Sequence, residues 1–241
     1  MDHRLSTVVL SAAALYSLYT LYRLSHADCD LTLGSAPRPS PTAFRDKIVW
    51  ITGASSGIGE ELAKRLAKAG AKLILSARRL SELERVKQSL GLGDDRVRIV
   101  VLDLGEHDSL LLRAKEANEA FGGVVDVLIN NGGVSTRTLA KDTSIDIDKK
   151  VMNVDFFGQV ICAKAVLPGM MQRKSGQIVN IVSLAGKLGT PLRTAYCAAK
   201  FALMGHMDAL RLEQCNNGIR SHHTGCTRAP QERTYVCCCF A

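Results

Sequence analysis

The chain has few aromatic residues and no run of basic ones. Phe, Trp and Tyr make up 5% of its 241 residues, and the formal net charge of +8 is spread over single positions. Proteins that bind nucleic acids concentrate Lys and Arg on one face and often place aromatic rings between them. We therefore expect no nucleic-acid partner and interpret the positive charge as a solvated basic surface.

The sequence also lacks paired CxxC motifs, although it contains eight cysteines. Cys29, Cys162, Cys197 and Cys215 are isolated, and the other four lie within the last sixteen residues. A structural zinc site is typically built from two such pairs, or from one pair and two spaced histidines. No metal site is therefore predicted, and we interpret the cysteines as free thiols in a reducing compartment.

Charged side chains are absent from residues 5–22, and Arg23 ends this run. Eighteen helical residues span about 27 Å, which is marginal for the hydrocarbon core of a bilayer. We expect residues 1–27 to form an uncleaved signal anchor. A cleaved signal peptide is the alternative, and a buried soluble helix is less well supported because no capped amphipathic pattern is visible.

Beyond a linker at 28–45, where Pro, Ser and Gly are frequent, residues 46–220 alternate between short apolar runs and segments of helical periodicity. Short β-branched runs between helices are typical of strands that are buried on both faces. We therefore predict an α/β fold, a single Rossmann-type doubly wound parallel sheet with helices on both faces, preceded by the membrane-anchor helix. The predicted strands are 47–51, 72–75, 97–102, 124–129 and 177–182, and the predicted helices are 60–69, 80–90, 107–121, 147–173 and 194–214.

The first predicted strand leads into a glycine-rich turn that opens the first helix. The turn reads Thr52-Gly53-Ala54-Ser55-Ser56-Gly57-Ile58-Gly59. Glycines allow the backbone to turn tightly and to approach a pyrophosphate, and the helix N-terminus offers free N–H groups and the positive end of its dipole. The context predicts a dinucleotide-binding turn, with a plain strand–helix turn as the alternative.

No acidic residue stands at the end of the second predicted strand, where an Asp or Glu would bind the 2′-hydroxyl of the adenosine ribose. Arg78 and Arg79 occupy this place. A guanidinium can hold a 2′-phosphate through two parallel hydrogen bonds. The pair predicts NADP(H) rather than NAD(H) as the cofactor, with solvated arginines as the alternative.

Three residues near the fourth and fifth helices could carry the chemistry. Tyr196 and Lys200 are four positions apart on one predicted helix and so share a face, and Ser183 follows the fifth predicted strand. A free tyrosine titrates near pH ~10, and a nearby Lys200 ammonium would lower the pKa of Tyr196. Tyr196 would then act as acid or base, Ser183 would polarise a substrate carbonyl, and Lys200 could also bind the nicotinamide ribose.

Together these motifs resemble the short-chain dehydrogenases/reductases. The residues that carry the resemblance are the glycine turn, Asp103-Leu104, Asn130-Asn131-Gly132-Gly133, Ser183 and Tyr196-Cys197-Ala198-Ala199-Lys200. The resemblance implies that Asp103 meets the adenine and that Asn130 lies near the cofactor. Leu104, Asn131 and Gly132 join the predicted cofactor site on the same ground.

Finer detail is similar to membrane-anchored members of this family. The similar stretches are residues 28–33, 49–51, 75–79 and 130–133. This likeness implies hydride transfer between NADP(H) and a small apolar carbonyl or secondary alcohol of the steroid, retinoid or xenobiotic class, at the endoplasmic reticulum membrane. It also implies a possible homodimer through the helices at 147–173 and 194–214.

One departure from the family pattern falls on the predicted proton relay. The family carries an asparagine where this chain has Asp155, and that asparagine holds a water beside the lysine. An ionised aspartate accepts hydrogen bonds but donates none, and its charge would stabilise the Lys200 ammonium and disfavour the Tyr196 phenolate. We place Asp155 in the catalytic site and predict impaired turnover. The alternative function is a catalytically weak cofactor-binding or interaction protein.

A second departure lies at residues 221–241, where we expect no strand, no Pro-Gly pair and no helix. The cysteine-rich composition predicts an aberrant tail outside the fold, with lipid attachment or metal binding through thiols as the alternative. A substrate pocket that lacks one wall would bury little apolar surface and bind apolar substrates poorly. Cofactor binding would then survive better than turnover.

Overall fold

The computed structural model describes residues 14–19, 40, 42–123 and 125–224. The chain divides into two compact units, one of residues 1–39 and 240–241 and the other of residues 40–239. Within the first unit the described residues 14–19 are helical. The remainder of the predicted anchor at 1–27, and nearly all of the predicted linker at 28–45, lie outside the described residues.

Six parallel strands form one sheet in the second unit, in the order β3-β2-β1-β4-β5-β6. The strands are β1 Ile48–Thr52, β2 Lys72–Ala77, β3 Val97–Val101, β4 Val127–Asn130, β5 Gly176–Ile181 and β6 Ile219–Thr224. The direction of winding reverses between β1 and β4, and ligands of doubly wound sheets bind at the carboxyl ends of the strands beside such a point. The predicted doubly wound α/β fold is confirmed.

Six helices connect the strands. They are α1 Gly57–Lys68, α2 Leu80–Leu90, α3 His107–Glu119, α4 Ile145–Met152, α5 Gly158–Arg173 and α6 Thr194–Glu213. Short 3-10 turns lie at Ala140–Asp142, Leu184–Gly186 and Cys215–Asn217. The main core contains apolar side chains from β1, β4 and β5 together with those of α3, α5 and α6.

The central strand β1 is buried along its whole length, as its unbroken run of apolar residues predicts. Trp50 is fully buried, and its indole Nε1 donates to Ser76 Oγ on β2 over 2.9 Å. This bond satisfies the polar atom of a large side chain that otherwise fills the core. The sheet is thereby anchored at the pair of strands that lead to the glycine turn and to Arg78.

The long helix predicted at 147–173 is confirmed as a continuous helical stretch, Ile145–Arg173, within which a π-helical turn at Asn153–Phe157 lies between α4 and α5. Such turns are frequent at functional sites, since the extra residue re-aims the side chains of one face. The stretch Ile145–Arg173 is long and apolar enough to cross a membrane by length and composition, and half of its apolar 18-residue window is buried within the fold. Its apolar residues pack in the core of this unit.

The expectation that residues 221–241 hold no strand is wrong for the first four of them, because β6 runs to Thr224. Ser221 pairs with Ile178 in the parallel register, and its hydroxyl accepts from Asn180 Nδ2 over 3.4 Å. The polar sequence Ser-His-His-Thr carries no apolar strand signal, so hydrogen bonds to β5 decide this conformation. Residues 225–241 lie outside the described part of the chain.

Candidate active site

A crevice of about 340 Å³ opens beside the glycine turn, at the carboxyl ends of the central strands. Most of the predicted cofactor residues line it. They are Gly53, Ser55, Ser56, Ile58, Arg78, Arg79, Asp103, Leu104, Asn131 and Gly132. Residues from four separate segments of sequence therefore meet at the place where a doubly wound sheet binds ligands.

Six predicted cofactor residues do not line this crevice, namely Tyr196 and Lys200, which are described below, and four others. Thr52, Gly59 and Asn130 are buried, and Gly57 is exposed at the start of α1. The Asn130 amide donates to the Gln159 carbonyl over 3.3 Å and to Asn180 Oδ1 over 3.0 Å. Its side chain therefore points into the core between β4 and β5 rather than to the crevice.

The glycine turn depends on close backbone approaches that side chains would block. Gly53 has a φ of +67°, and a Cβ on it would lie 2.7 Å from Gly132 Cα. A Cβ on Gly59 would lie 2.3 Å from the carbonyl oxygen of Gly53. Ser56 precedes α1 without a side-chain capping bond and lines the crevice, which places the N-terminal end of the helix there.

Thr52 and Asn131 lock the ends of β1 and β4 together beneath the turn. Thr52 Oγ1 accepts from the amides of Asn131 over 3.0 Å and Gly132 over 3.1 Å. The Asn131 side chain donates in return to the carbonyls of Thr52 and Gly53, over 3.0 and 3.1 Å. The buried Thr52 thus shapes the crevice without touching it.

Arg78 and Arg79 lie at the mouth of the crevice directly after β2. Arg78 Nη1 is 3.9 Å from Asp103 Oδ2, and the Arg78 side chain is 65% exposed. Exposed pairs at this separation contribute little free energy. Arg78 is therefore able to turn from Asp103 toward an anionic ligand.

Tyr196 and Lys200 lie on α6, one turn apart. Lys200 Nζ is 5.6 Å from the centroid of the Tyr196 ring and donates to the Ile181 carbonyl over 3.5 Å. The Lys200 residue is only 2% exposed. Burial lowers the pKa of Lys200, and the charge of Asp155 partly opposes this shift.

Ser183 stands two residues after Ile181, whose carbonyl accepts the Lys200 ammonium. Its hydroxyl accepts from the Ala185 amide over 3.2 Å and caps the short turn at Leu184–Gly186. The end of β5 and the second turn of α6 thus bring Ser183 and Lys200 to one edge of the sheet. These residues do not line the 340 Å³ crevice.

The segment at Gly133 and Val134 lies between the crevice and the lysine. Both residues line the crevice. A Cβ on Gly133 would lie 3.6 Å from Lys200 Nζ, and the Val134 amide donates to Asp155 Oδ1 over 2.7 Å. The cofactor crevice and the Lys200 region therefore share this segment as a wall.

Asp155 is fully buried within the π-helical turn. Its Oδ2 atom has no hydrogen-bond partner among the described residues. Burial raises the pKa of Asp155 to about 6, and the Lys200 ammonium and the Val134 amide oppose this rise. The carboxyl group is thus electrostatically coupled to the lysine that accompanies Tyr196.

A family model described as short chain dehydrogenase matches residues 47–230. The chain belongs to the short-chain dehydrogenase family. It is 43% identical over 213 residues to dehydrogenase/reductase SDR family member 7 of Homo sapiens, covering 86% of this chain and 62% of that protein. It is 44% identical over 179 residues to a dehydrogenase/reductase SDR family protein 7-like of Anopheles gambiae, covering 72% and 56%. The chain thus spans about three fifths of the length of these curated relatives.

Solved structures of short-chain dehydrogenases share the fold. A metagenomic short-chain oxidoreductase in complex with NADP superposes with a TM-score of 0.72 at 28% identity, covering 78% of this chain and 85% of that chain. A short-chain dehydrogenase from Streptomyces avermitilis gives a TM-score of 0.69 at 28% identity, covering 77% and 72%. The glycine turn and the crevice of the present short-chain dehydrogenase fit a nicotinamide dinucleotide, since backbone takes the place of side chains where the pyrophosphate would lie.

Sequence reasoning missed several residues that shape the site of this short-chain dehydrogenase. Gln159 is fully buried, and its Nε2 donates to the Gly132 carbonyl over 2.7 Å. A polar residue four positions after Asp155 on an apolar helix was the signal that could have found it. The contact of Arg85 with the glycine turn carries no local signal, because Glu60 and Ser55 lie 25 and 30 positions away in the sequence.

Proposed function

We propose that this chain is an oxidoreductase that transfers a hydride between NADP(H) and a carbonyl or secondary alcohol. The observation that carries the proposal is the buried Lys200 beside the Tyr196 ring, at the wall of a crevice formed by the glycine turn. A buried ammonium next to a phenol is a suitable environment for proton transfer, because it favours the ionised phenol. The placement of Ser183 at the same strand end supports the same chemistry.

In the reductive direction, Tyr196, Ser183 and Lys200 would each have a separate role. When bound, NADPH supplies the hydride that reaches the carbonyl carbon. The Tyr196 hydroxyl donates its proton to the carbonyl oxygen, and the Ser183 hydroxyl donates a hydrogen bond to that oxygen as negative charge develops. Lys200 stabilises the resulting phenolate, and the product is a secondary alcohol.

NADP(H) is proposed over NAD(H) because of Arg78 and Arg79. Both line the crevice at the end of β2, where an acid would otherwise hold the ribose 2′-hydroxyl. Arg78 is largely exposed and only loosely paired with Asp103, so it can reach a 2′-phosphate at little cost. The neighbouring structure that contains NADP supports a phosphorylated dinucleotide for this fold.

The proposed substrate class, membrane location and oligomeric state are supported by the relatives, by the sequence and by exposed side chains. The human protein at 43% identity is named a dehydrogenase/reductase, which supports oxidation of an alcohol or reduction of a carbonyl. A small apolar substrate of the steroid, retinoid or xenobiotic class is proposed from the resemblance of the sequence to membrane-anchored members of the family. The uncharged run at residues 5–22 supports an anchor at the endoplasmic reticulum membrane. Exposed Phe157 and Phe201, in the segments at 147–173 and 194–214, support a homodimer through those helices.

A second candidate function is a catalytically weak cofactor-binding protein. It is favoured by Asp155, a buried carboxyl group coupled to Lys200 where the chemistry calls for a free ammonium. Ionised Asp155 would hold the lysine charge and disfavour the Tyr196 phenolate. In this case NADPH would bind but few carbonyl compounds would be reduced.

The test compares binding with turnover in the purified full chain. We expect a lower dissociation constant for NADPH than for NADH, and oxidation of NADPH with apolar ketones and aldehydes. Tyr196→Phe removes one oxygen atom and should abolish turnover while NADPH still binds. Binding without turnover in the wild-type chain would establish the second function, and binding of neither dinucleotide would refute both.

A further inference from the structure

Arg85 joins two parts of the cofactor crevice that are far apart in sequence. It lies on α2, six positions after Arg79, the residue that precedes this helix. Its Nη2 atom donates to the Ser55 carbonyl in the glycine turn over 3.1 Å. The turn that would hold the pyrophosphate is therefore tied to the helix that follows Arg78 and Arg79.

Every nitrogen of the Arg85 guanidinium is engaged. Nη1 and Nη2 donate to the two oxygens of Glu60 over 3.1 and 2.8 Å, and Nε donates to Glu82 Oε2 over 2.9 Å. Glu60 lies in the first turn of α1, and Lys64 Nζ donates to it over 2.6 Å. The hydrogen bond from Arg85, and to a smaller extent the one from Lys64, lowers the pKa of Glu60 to about 2. The Glu60 carboxylate therefore stays ionised at physiological pH, and its ion pair with Arg85 persists.

On this side the backbone of the glycine turn is also held by the Ala54 amide, which donates to the Ser76 carbonyl on β2 over 3.1 Å, but Ser55 to Gly57 have few other restraints among the described residues. Ser56 provides no capping bond from its side chain, and a Cβ on Gly57 would meet no atom within 4 Å among the described residues. On the other side of the turn, the side-chain amide of Asn131 donates to the backbone carbonyls of Thr52 and Gly53. Arg85 thus holds the Ser55 carbonyl, which the bonds of Asn131 and Ala54 do not reach.

We propose that Arg85 is a positioning residue for the cofactor, which sets the glycine turn at a fixed distance from Arg78 and Arg79. This inference rests on the proposed binding of NADP(H). A planar guanidinium can grip Glu60 and the Ser55 carbonyl at once, whereas an ammonium cannot reproduce both directions. The site would then be pre-organised for a ligand that carries phosphates at both places, and NADPH is such a ligand.

The decisive variant is Arg85→Lys, which keeps the positive charge near the crevice and removes the planar guanidinium that bonds Glu60 and the Ser55 carbonyl at once. Arg65→Lys is the matched control, because Arg65 lies on α1 and pairs with Glu61 over 2.8 Å in the exposed part of the helix. We expect the dissociation constant of NADPH to rise about tenfold in Arg85→Lys and to stay within about twofold in Arg65→Lys. The melting temperatures of both variants, measured alongside, show whether either has lost its fold.

A second measurement needs no cofactor. Hydrogen exchange of the amides at 55–57 in the free chain should be about tenfold faster in Arg85→Lys than in wild type, while those in the last turn of α1 are unchanged. Equal exchange at 55–57 in the Arg85 and Arg65 variants would overturn the positioning role. Wild-type protein that binds neither NADPH nor NADH would instead overturn the proposed function, and the role of Arg85 toward a cofactor with it.

Discussion

The Asp155 carboxyl group and the Lys200 ammonium group meet on one side of Gly133. A Cβ on this glycine would lie 2.7 Å from Asp155 Oδ1 and 3.6 Å from Lys200 Nζ. A glycine at position 133 therefore leaves space for a buried carboxyl group to interact with a buried amine. This arrangement connects the wall of the cofactor crevice to the group that accompanies Tyr196.

Asp155→Asn should change how the stability of the chain depends on pH. Burial raises the pKa of Asp155 from 3.8 to about 6, so between these values the folded chain holds a proton that the unfolded chain has lost. Stability that is present below pH 4 is then lost as the pH rises through 6. The loss is about 3 kcal/mol at 1.36 kcal/mol per pKa unit. Urea unfolding from pH 4 to 7 should show this decline in wild type, and a parallel decline in Asp155→Asn would contradict the assignment.

The same substitution should alter the pH dependence of turnover. Above pH 6 the Asp155 carboxylate places negative charge beside Lys200 and disfavours the Tyr196 phenolate that alcohol oxidation requires. We expect kcat for oxidation to be about tenfold higher in Asp155→Asn at pH 8, because one pKa unit corresponds to a tenfold change. In wild type the ionisation of Asp155 should lower the rate of oxidation as the pH rises through 6, and this effect should be absent from Asp155→Asn. An unchanged kcat and pH–rate profile would show that Asp155 does not act on the catalytic pair.

Gly133→Ala should destabilise the fold and disturb the site. The added Cβ would lie 2.7 Å from Asp155 Oδ1, so the carboxyl group must move away from the Val134 amide. Overpacking of this kind costs about 1–3 kcal/mol. Gly205→Ala on α6 is the control, because a Cβ there meets no described atom within 4 Å and alanine favours a helix. Thermal unfolding of both variants measures the difference, and equal melting temperatures would contradict the packing at Gly133.

Thr52→Val should weaken the floor of the crevice without changing its lining. The substitution removes the oxygen that accepts from the amides of Asn131 and Gly132. A buried donor left without an acceptor costs about 1–3 kcal/mol. Thr52→Ser keeps the hydroxyl and should retain most of the stability, measured as the free energy of unfolding in urea. We expect the NADPH dissociation constant to rise in Thr52→Val only, and an unchanged free energy of unfolding in that variant would contradict the role of the hydroxyl group.

Much of the fold was predictable because its signals are local. Alternating apolar runs and helical periods indicate parallel strands joined by helices, and α2 at Leu80–Leu90 has the predicted bounds. The glycine turn and the Tyr196–Lys200 spacing likewise follow from adjacent residues. Helix α1 nevertheless begins at Gly57, three residues before its predicted start, since the turn geometry and not the apolar period decides where the helix begins.

The site itself was only partly predictable. Arg78, Arg79 and Asn131 line the crevice as expected, whereas Asn130 is turned into the core by its bond to Asn180 on the neighbouring strand. Strand register decides which of two adjacent asparagines faces the ligand, and register is a property of the assembled sheet.

Local sequence patterns were sufficient to predict the class of fold, the dinucleotide turn and the helix face that Tyr196 and Lys200 share, because each depends on residues within a few positions of one another. Three features depend on the tertiary structure: the hydrogen bond from Arg85 to the Ser55 carbonyl, the burial of Asp155 against the Val134 amide and the extension of β6 to Thr224. These contacts join elements that pack only when the sheet has formed, so no local pattern encodes them. The electrostatic partner of Lys200 is accordingly a product of packing.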